Sequence, residues 1–402
     1  MATDRLEHQL LRLSIARRFA PAGDAQIAEL VAGPLDWTYV LDAAHRQQIL
    51  PLLNECLSAV GTGAVPPASL KALAQRVAII HARNRQLARE LVHLHRAADG
   101  AGIRLLSFKG PVLAVTLYGD LALRQFGDLD LLVDRASSPR AEELLATLGY
   151  RRGRDFGFEV SYVNGATRIA VDLHRALSAD NFPVAARFAD LWERRQKVVL
   201  EGGYAETLSS PDVLIAMCIE AARDAHLGKS KLAKMSDLFH ALRALSDIEW
   251  VQAQARVRRL GLRRALWFGI QLAAGIPRTP VARNAALDAP PSRLRPWLRD
   301  AEARVLRAPG TSPPAQRHGD LFLFFLRERW RDRLLPYALR VHRLVTPNVH
   351  DRRVIALPRP LAPLYYLVRP VRLVRQYGGA RQKRAGLAGG SPPDLGRDGR
   401  PG

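Results

Sequence analysis

The stretch FGDLDLLVD, residues 126–134, sets two carboxylates inside a run of Leu and Val that otherwise reads as a buried strand. Side chains in a strand point alternately to opposite faces. Asp128 and Asp130 therefore share one face, while Leu129, Leu131 and Val133 share the other and point toward a core. Two neighbouring carboxylates repel each other and lose solvation in an apolar segment. A positive partner must offset both costs, and a hard divalent cation with oxygen ligands is the common one.

Downstream, IAVDLHRAL (169–177) repeats the pattern. Val171 and Leu173 face the core, and Asp172 and His174 share the other face. If this strand pairs beside 129–133, Asp172 completes a three-carboxylate cluster able to hold one or two divalent ions ~3.5–4 Å apart. Upstream, IRLLSF (103–108) is a short apolar strand followed by Lys109, Gly110 and Pro111. Gly110 suits a turn, and Pro111 suits the first position of a helix carrying Val112, Leu113, Val115, Leu117 and Tyr118. A glycine between strand and helix lets backbone approach a phosphate, and the helix start offers free N–H groups. Lys109 adds a point charge and Arg124 a bidentate fork for phosphate. A phosphate cradle beside a hard-metal site describes phosphoryl or nucleotidyl transfer.

Around this unit the chain reads as helix. Residues 37–57 and 69–98 carry apolar side chains at helical spacing. SSPRAEELLATLGY (137–150) predicts a helix with Ser138 as N-cap. FEVSYV (158–163) predicts another strand. Ser210 before Pro211 opens a helical region that runs to about Ala274. The segments GIPRTP, DAPPSR and APGTSPPAQRHG are linkers by composition. LFLFFLRERWRDRLLPYALRVHRL (321–344) is an apolar-to-basic helical stretch.

The segments LLSFKGPVLAVTLYGDLALRQFGDLDLLVD (105–134) and VDLH (171–174) resemble the nucleotidyltransferase superfamily of the polymerase-beta type. More narrowly, they are similar to a branch of uncharacterised nucleotidyltransferases. That branch is marked by a Lys-Gly turn, a tyrosine, an arginine, Asp-x-Asp and an Asp-x-His strand. Here those positions are Lys109–Gly110, Tyr118, Arg124, Asp128 with Asp130, and Asp172 with His174. The flanking helices at 35–53 and 208–242 are similar too, with His226 and Asp237 at matching places. The resemblance spans roughly residues 10–275. It implies Mg²⁺ or Mn²⁺ held by Asp128, Asp130 and Asp172, and NTP phosphates near Gly110. It also implies in-line attack of an acceptor on the α-phosphate with release of pyrophosphate. The acceptor is a small molecule, a peptide or RNA. The turn departs from the superfamily's Gly-Ser or Gly-Gly, and Lys231 and Lys234 stand where aromatic and apolar residues are common.

The expected fold is therefore α+β: a small mixed sheet with helices as a polymerase-beta-like core, flanked by N- and C-terminal helical regions. Its expected limits are a helical region at 1–100, the catalytic core at 101–207 and a helical region completing the cleft at 208–285. A basic helical region at 286–380 and a disordered tail at 381–402 follow. Three rival readings compete with catalysis by this core. A degenerate member would bind nucleotide without chemistry. A metal-dependent glycosyltransferase would use Asp-x-Asp for a nucleotide-sugar, and a nucleic-acid binder would show steep salt dependence without metal.

Charge bounds the partners. The chain of 402 residues carries 60 Lys+Arg against 38 Asp+Glu, a formal net charge of +22. From Arg327 to Arg384 there are 15 Lys+Arg and three acids, net +12. This basic C-terminal region reads as a solvated face inflated by an Arg-rich composition, as a contact for an anionic membrane surface, or as a contact for RNA or another polyanion. The two cysteines, Cys56 and Cys218, match no metal-ligand spacing, which fits a reducing, cytoplasmic setting. The N-terminus lacks the apolar core and cleavage signature of a secretory signal.

Overall fold

The structure, a computed structural model, describes residues 5–17, 23–178, 184, 186–275, 292–305, 319–346 and 366. The predicted tail at 381–402 and most of the three predicted linkers lie outside these residues. Two compact units divide the chain, Met1–Asp332 and Arg333–Gly402.

The first unit opens with five helices: α1 (Leu6–Ala16), α2 (Asp24–Ala32), α3 (Trp37–Arg46), α4 (Leu50–Val60) and α5 (Pro67–Gly100). The predicted continuous helix over 37–57 is broken between α3 and α4, where Gln48 takes a left-handed φ of 60°. Pro51 lies in the first turn of α4 and has no N–H for the carbonyl four residues back, so one helix cannot run through. Helix α5 is long because its apolar residues stay in phase. Leu73, Val77, Leu87, Leu91, Leu94 and Ala98 are all buried along one stripe.

A seven-stranded mixed sheet follows. Its strands are β1 (Leu105–Ser107), β2 (Asp128–Val133), β3 (Tyr150–Asp155), β4 (Glu159–Asn164), β5 (Ala170–His174), β6 (Gln196–Leu200) and β7 (Gly203–Thr207), in the order β3-β4-β5-β2-β1-β7-β6. Helix α6 (Pro111–Tyr118) leaves β1, α7 (Ser138–Thr147) follows β2, and α8 (Phe188–Glu193) precedes β6. Sequence periodicity missed β3, β6 and β7. β3 is the Arg-rich edge strand YRRGRD, exposed beyond Tyr150, so it shows no apolar alternation. The cap of α7 is also displaced by one: Ser137 is the N-cap and Ser138 is already helical. The Ser138 hydroxyl instead bonds Glu142 and accepts from Arg175.

The two central strands run parallel in register, with Asp130 opposite Asp172 and Leu132 opposite His174. One sheet face packs with α5, α6 and α7 around Leu129, Leu131, Val133, Val171 and Leu173. Fully burying each of these side chains stabilises the fold by about 1.5–3 kcal/mol. The opposite face, which carries Leu106, Phe108 and Leu132, meets the helical core. That core contains α9 (Ser210–Leu227), α10 (Leu232–Ala244), α11 (Asp247–Leu260) and α12 (Arg263–Gly275), followed by α13 (Arg295–Val305) and α14 (Gly319–Leu326). Asp128, Asp130 and Asp172 project on this second face. Helix α15 (Trp330–Val345) opens at the end of the first unit and continues in the second.

Candidate functional site

Every side chain of the site is placed by a short piece of local structure. Gly110 joins β1 to α6 with φ 58° and ψ −129°, a conformation that L side chains rarely adopt. A Cβ built there would lie 3.4 Å from the Asp128 carbonyl oxygen, so the turn lies directly against the start of β2. The loop between α6 and β2 is pinned from α5. The buried Asn84 amide donates to the carbonyls of Leu121 at 2.8 Å and Arg124 at 2.7 Å. Asn84 escaped the sequence reading because a lone Asn in a helix gives no signal.

Asp130 lies at the centre, 8% exposed. Its Oδ1 accepts from Lys109 Nζ at 3.0 Å and lies 3.1 Å from His174 Nε2. Burial opposes its charge, yet the Lys109 ammonium and His174 hold the carboxyl well below the usual carboxylate range. Lys109 is shared: its Nζ is also 3.2 Å from Glu220 Oε1 on α9. Glu220 in turn accepts from Lys234 of α10 at 2.8 Å. Burial disfavours the Lys109 ammonium, but the two carboxylates raise its pKa above the ordinary value. Glu220 was also missed by sequence reading, although a glutamate inside the apolar run LIAMCIEAA was a usable cue.

The other two carboxylates are less fully compensated: Lys109 and Arg124 lower the Asp128 pKa but do not outweigh what raises it. Burial and then Asp130 push Asp128 up. Asp172 is pushed up to about 6 by burial, followed by the negative charges of Asp130 and Asp128. His174 stands edge-on to Phe108, ring centroids 5.0 Å apart, with Nδ1 3.4 Å from Glu159 Oε2. A small pocket beside it is walled by Phe108, Leu177, Met217, Glu220 and Arg223.

Arg124, read from the sequence as a phosphate fork, lies at the Gly110 turn, its Nη1 3.4 Å from the Gly110 carbonyl oxygen. Its guanidinium grips Asp237 of α10, Nε at 3.0 Å from both carboxylate oxygens and Nη2 at 2.8 Å from Oδ2. Tyr118 Oη donates to the same carboxylate at 2.8 Å. Asp237 thus ties the loop before β2 to α10. His226 stacks on Phe322, with ring centroids 6.2 Å apart.

Among the described residues no three His, Cys, Asp or Glu groups converge in a metal-ligating arrangement. Nevertheless, the donor chemistry fits a hard cation. Three carboxylates on paired strands offer only oxygen, the donor that a hard cation takes.

A family described as uncharacterised nucleotidyltransferase matches residues 33–276, more than half of the chain. The chain belongs to this nucleotidyltransferase family. No curated protein matches this nucleotidyltransferase. Among solved structures it is similar to the antibiotic-resistance factor ANT(2'')-Ia in solution, at 18% identity over 44% of this chain and 93% of that one, TM-score 0.35. It is also similar to ANT(2'')-Ia in complex with adenylyl-2''-tobramycin, at 16% identity over 43% and 98%, TM-score 0.35. A third likeness is to an antigenic nucleotidyltransferase-like protein from Paracoccidioides brasiliensis, at 16% identity over 45% and 91%, TM-score 0.29. These likenesses are distant, and the assignment rests on the family match. No helix among the described residues of this nucleotidyltransferase is long and apolar enough to cross a membrane.

Proposed function

We propose that this nucleotidyltransferase moves a nucleoside monophosphate from an NTP to an acceptor hydroxyl or similar group and releases pyrophosphate. The observation that carries the reading is the register of β2 and β5, which sets Asp130 beside Asp172 with Asp128 two residues away on the same face. Asp128, Asp130 and Asp172 would hold Mg²⁺ or Mn²⁺. When bound, the cation supplies positive charge for the triphosphate and the departing pyrophosphate. Gly110 gives the triphosphate a backbone it can approach closely. Lys109 stands beside that turn as a point charge. Asp172 would also help take the acceptor's proton as its oxygen bonds to the α-phosphorus and the bond to the β-phosphate bridge breaks. His174 orients Asp130. Arg124 supports the loop through Asp237.

A second reading draws on the Lys109–Asp130 bond, which already neutralises the central carboxylate. In that reading the chain binds nucleotide without chemistry. Calorimetric titration of wild type and Asp128→Ala/Asp130→Ala with ATP, GTP, CTP and UTP, with and without Mg²⁺, separates the alternatives. Mg²⁺-dependent binding of one NTP that the double variant loses supports the catalytic site. Binding indifferent to metal and to both carboxylates rejects the metal assignment. Tight binding without pyrophosphate release across candidate acceptors selects the second reading.

A further inference from the structure

Helix α15 carries an exposed apolar stripe. Trp330, Leu334, Tyr337 and Val341 recur every three or four residues, which places them along one side of the helix. They are 67%, 54%, 38% and 59% exposed. Four large apolar side chains in a row on one exposed helix side are costly in water, and such a patch marks a contact surface. The charge of this segment, read along the sequence, says which kind. Arg331 and Arg333 fall within the first turn beside Asp332, which lies 3.4 Å from Arg331 Nε; Arg340 and Arg343 follow in sequence, and the sequence from Arg327 to Arg384 is net +12.

We infer that α15 docks in the interface of an anionic lipid bilayer, with its apolar stripe among the acyl chains and its arginines at the headgroups. A helix with Trp, Leu, Tyr and Val on one side and Arg beside them matches the chemistry of a segment that lies in a membrane surface. At 16 residues it lies on the bilayer rather than spanning it. Anionic headgroups attract each nearby arginine, and aromatic rings such as Trp330 and Tyr337 settle at the headgroup level. RNA fits less well. It would take the arginines, but it offers no partner for exposed aliphatic Leu334 and Val341. Pro336 lies within the helix and removes one backbone hydrogen bond, a loss that one-sided contact with a surface tolerates.

The test uses the full chain and sedimentation with vesicles of phosphatidylcholine alone or mixed with phosphatidylglycerol. Co-sedimentation with anionic vesicles is expected, and pure phosphatidylcholine should bind about tenfold or more weakly. Leu334→Asp/Val341→Asp should weaken binding to anionic vesicles by a similar factor, with the thermal midpoint of the protein unchanged. Both positions are exposed, so this variant is expected to fold. Brominated lipids should quench the fluorescence of Trp330, and Trp330→Phe should remove that quenching while retaining binding. Equal sedimentation of wild type and the double variant would overturn the inference. So would salt-sensitive RNA binding without vesicle binding, or a dimer in solution that the double variant dissolves without any vesicle binding.

Discussion

The strand pattern Asp-x-Asp-Leu-Leu-Val places both carboxylates on one face through nothing more than the pleat of β2. Gly110 is equally local, since its positive φ excludes almost every other residue. Gly110→Ala should cost about 1–3 kcal/mol, because it forces an L side chain into that left-handed region. Urea unfolding measures the loss. Nucleotide affinity should fall with it, because the turn and the start of β2 move together. Unchanged stability and affinity would mean that the turn has room to relax. These two features of the site were legible in the sequence because each depends on one residue and its immediate neighbours. Asn84 was not, because its two carbonyl partners lie on a distant loop.

At the level of elements, ion pairs connect what periodicity builds separately. Arg124 and Asp237, 113 positions apart, fasten the loop before β2 to α10. Removing one member leaves a buried charge, so Arg124→Ala should destabilise by about 3–5 kcal/mol. Arg124→Met with Asp237→Leu should lose far less, because no charge is stranded. A double-mutant cycle by chemical denaturation checks this, and additive losses would show that the pair is not coupled. The Lys109 bridge between Asp130 on β2 and Glu220 on α9 yields a second expectation. In Glu220→Gln the ammonium keeps one carboxylate partner, Asp130, and competes harder with an arriving cation. Mn²⁺ affinity should drop about tenfold, the scale of one partly buried charge interaction. Calorimetry with Mn²⁺ reads it directly. Equal or tighter binding would show that Lys109 does not divide its charge between the two carboxylates.

For the whole molecule, the buried histidine beneath the sheet sets an acid limit. His95 is 2% exposed and bonded to the Ser107 hydroxyl at 3.0 Å. Burial lowers its pKa to about 4 from the ordinary 6.5. Between these values the unfolded chain holds a proton that the folded chain lacks, so stability falls as pH drops from about 6.5 toward about 4. From about pH 7 to about pH 5 this group should remove about 2 kcal/mol. Urea midpoints at both pH values should show the loss in wild type and a smaller one in His95→Gln. Sequence alone determined the α+β class, the flanking helices, β1, β2, β4 and β5, the face shared by Asp128 and Asp130, and the face shared by Asp172 and His174. Each of these follows from a repeat of two or about 3.6 residues. It did not reveal β3, β6 or β7, whose exposed or short strands carry no apolar alternation. It also did not reveal which cation meets which carboxylate. Asp130 with Lys109, Lys109 with Glu220, and Arg124 with Asp237 are choices among similar charges. Only tertiary packing decides them, because an ion pair forms where the fold brings two charges within about 3 Å and removes the water between them.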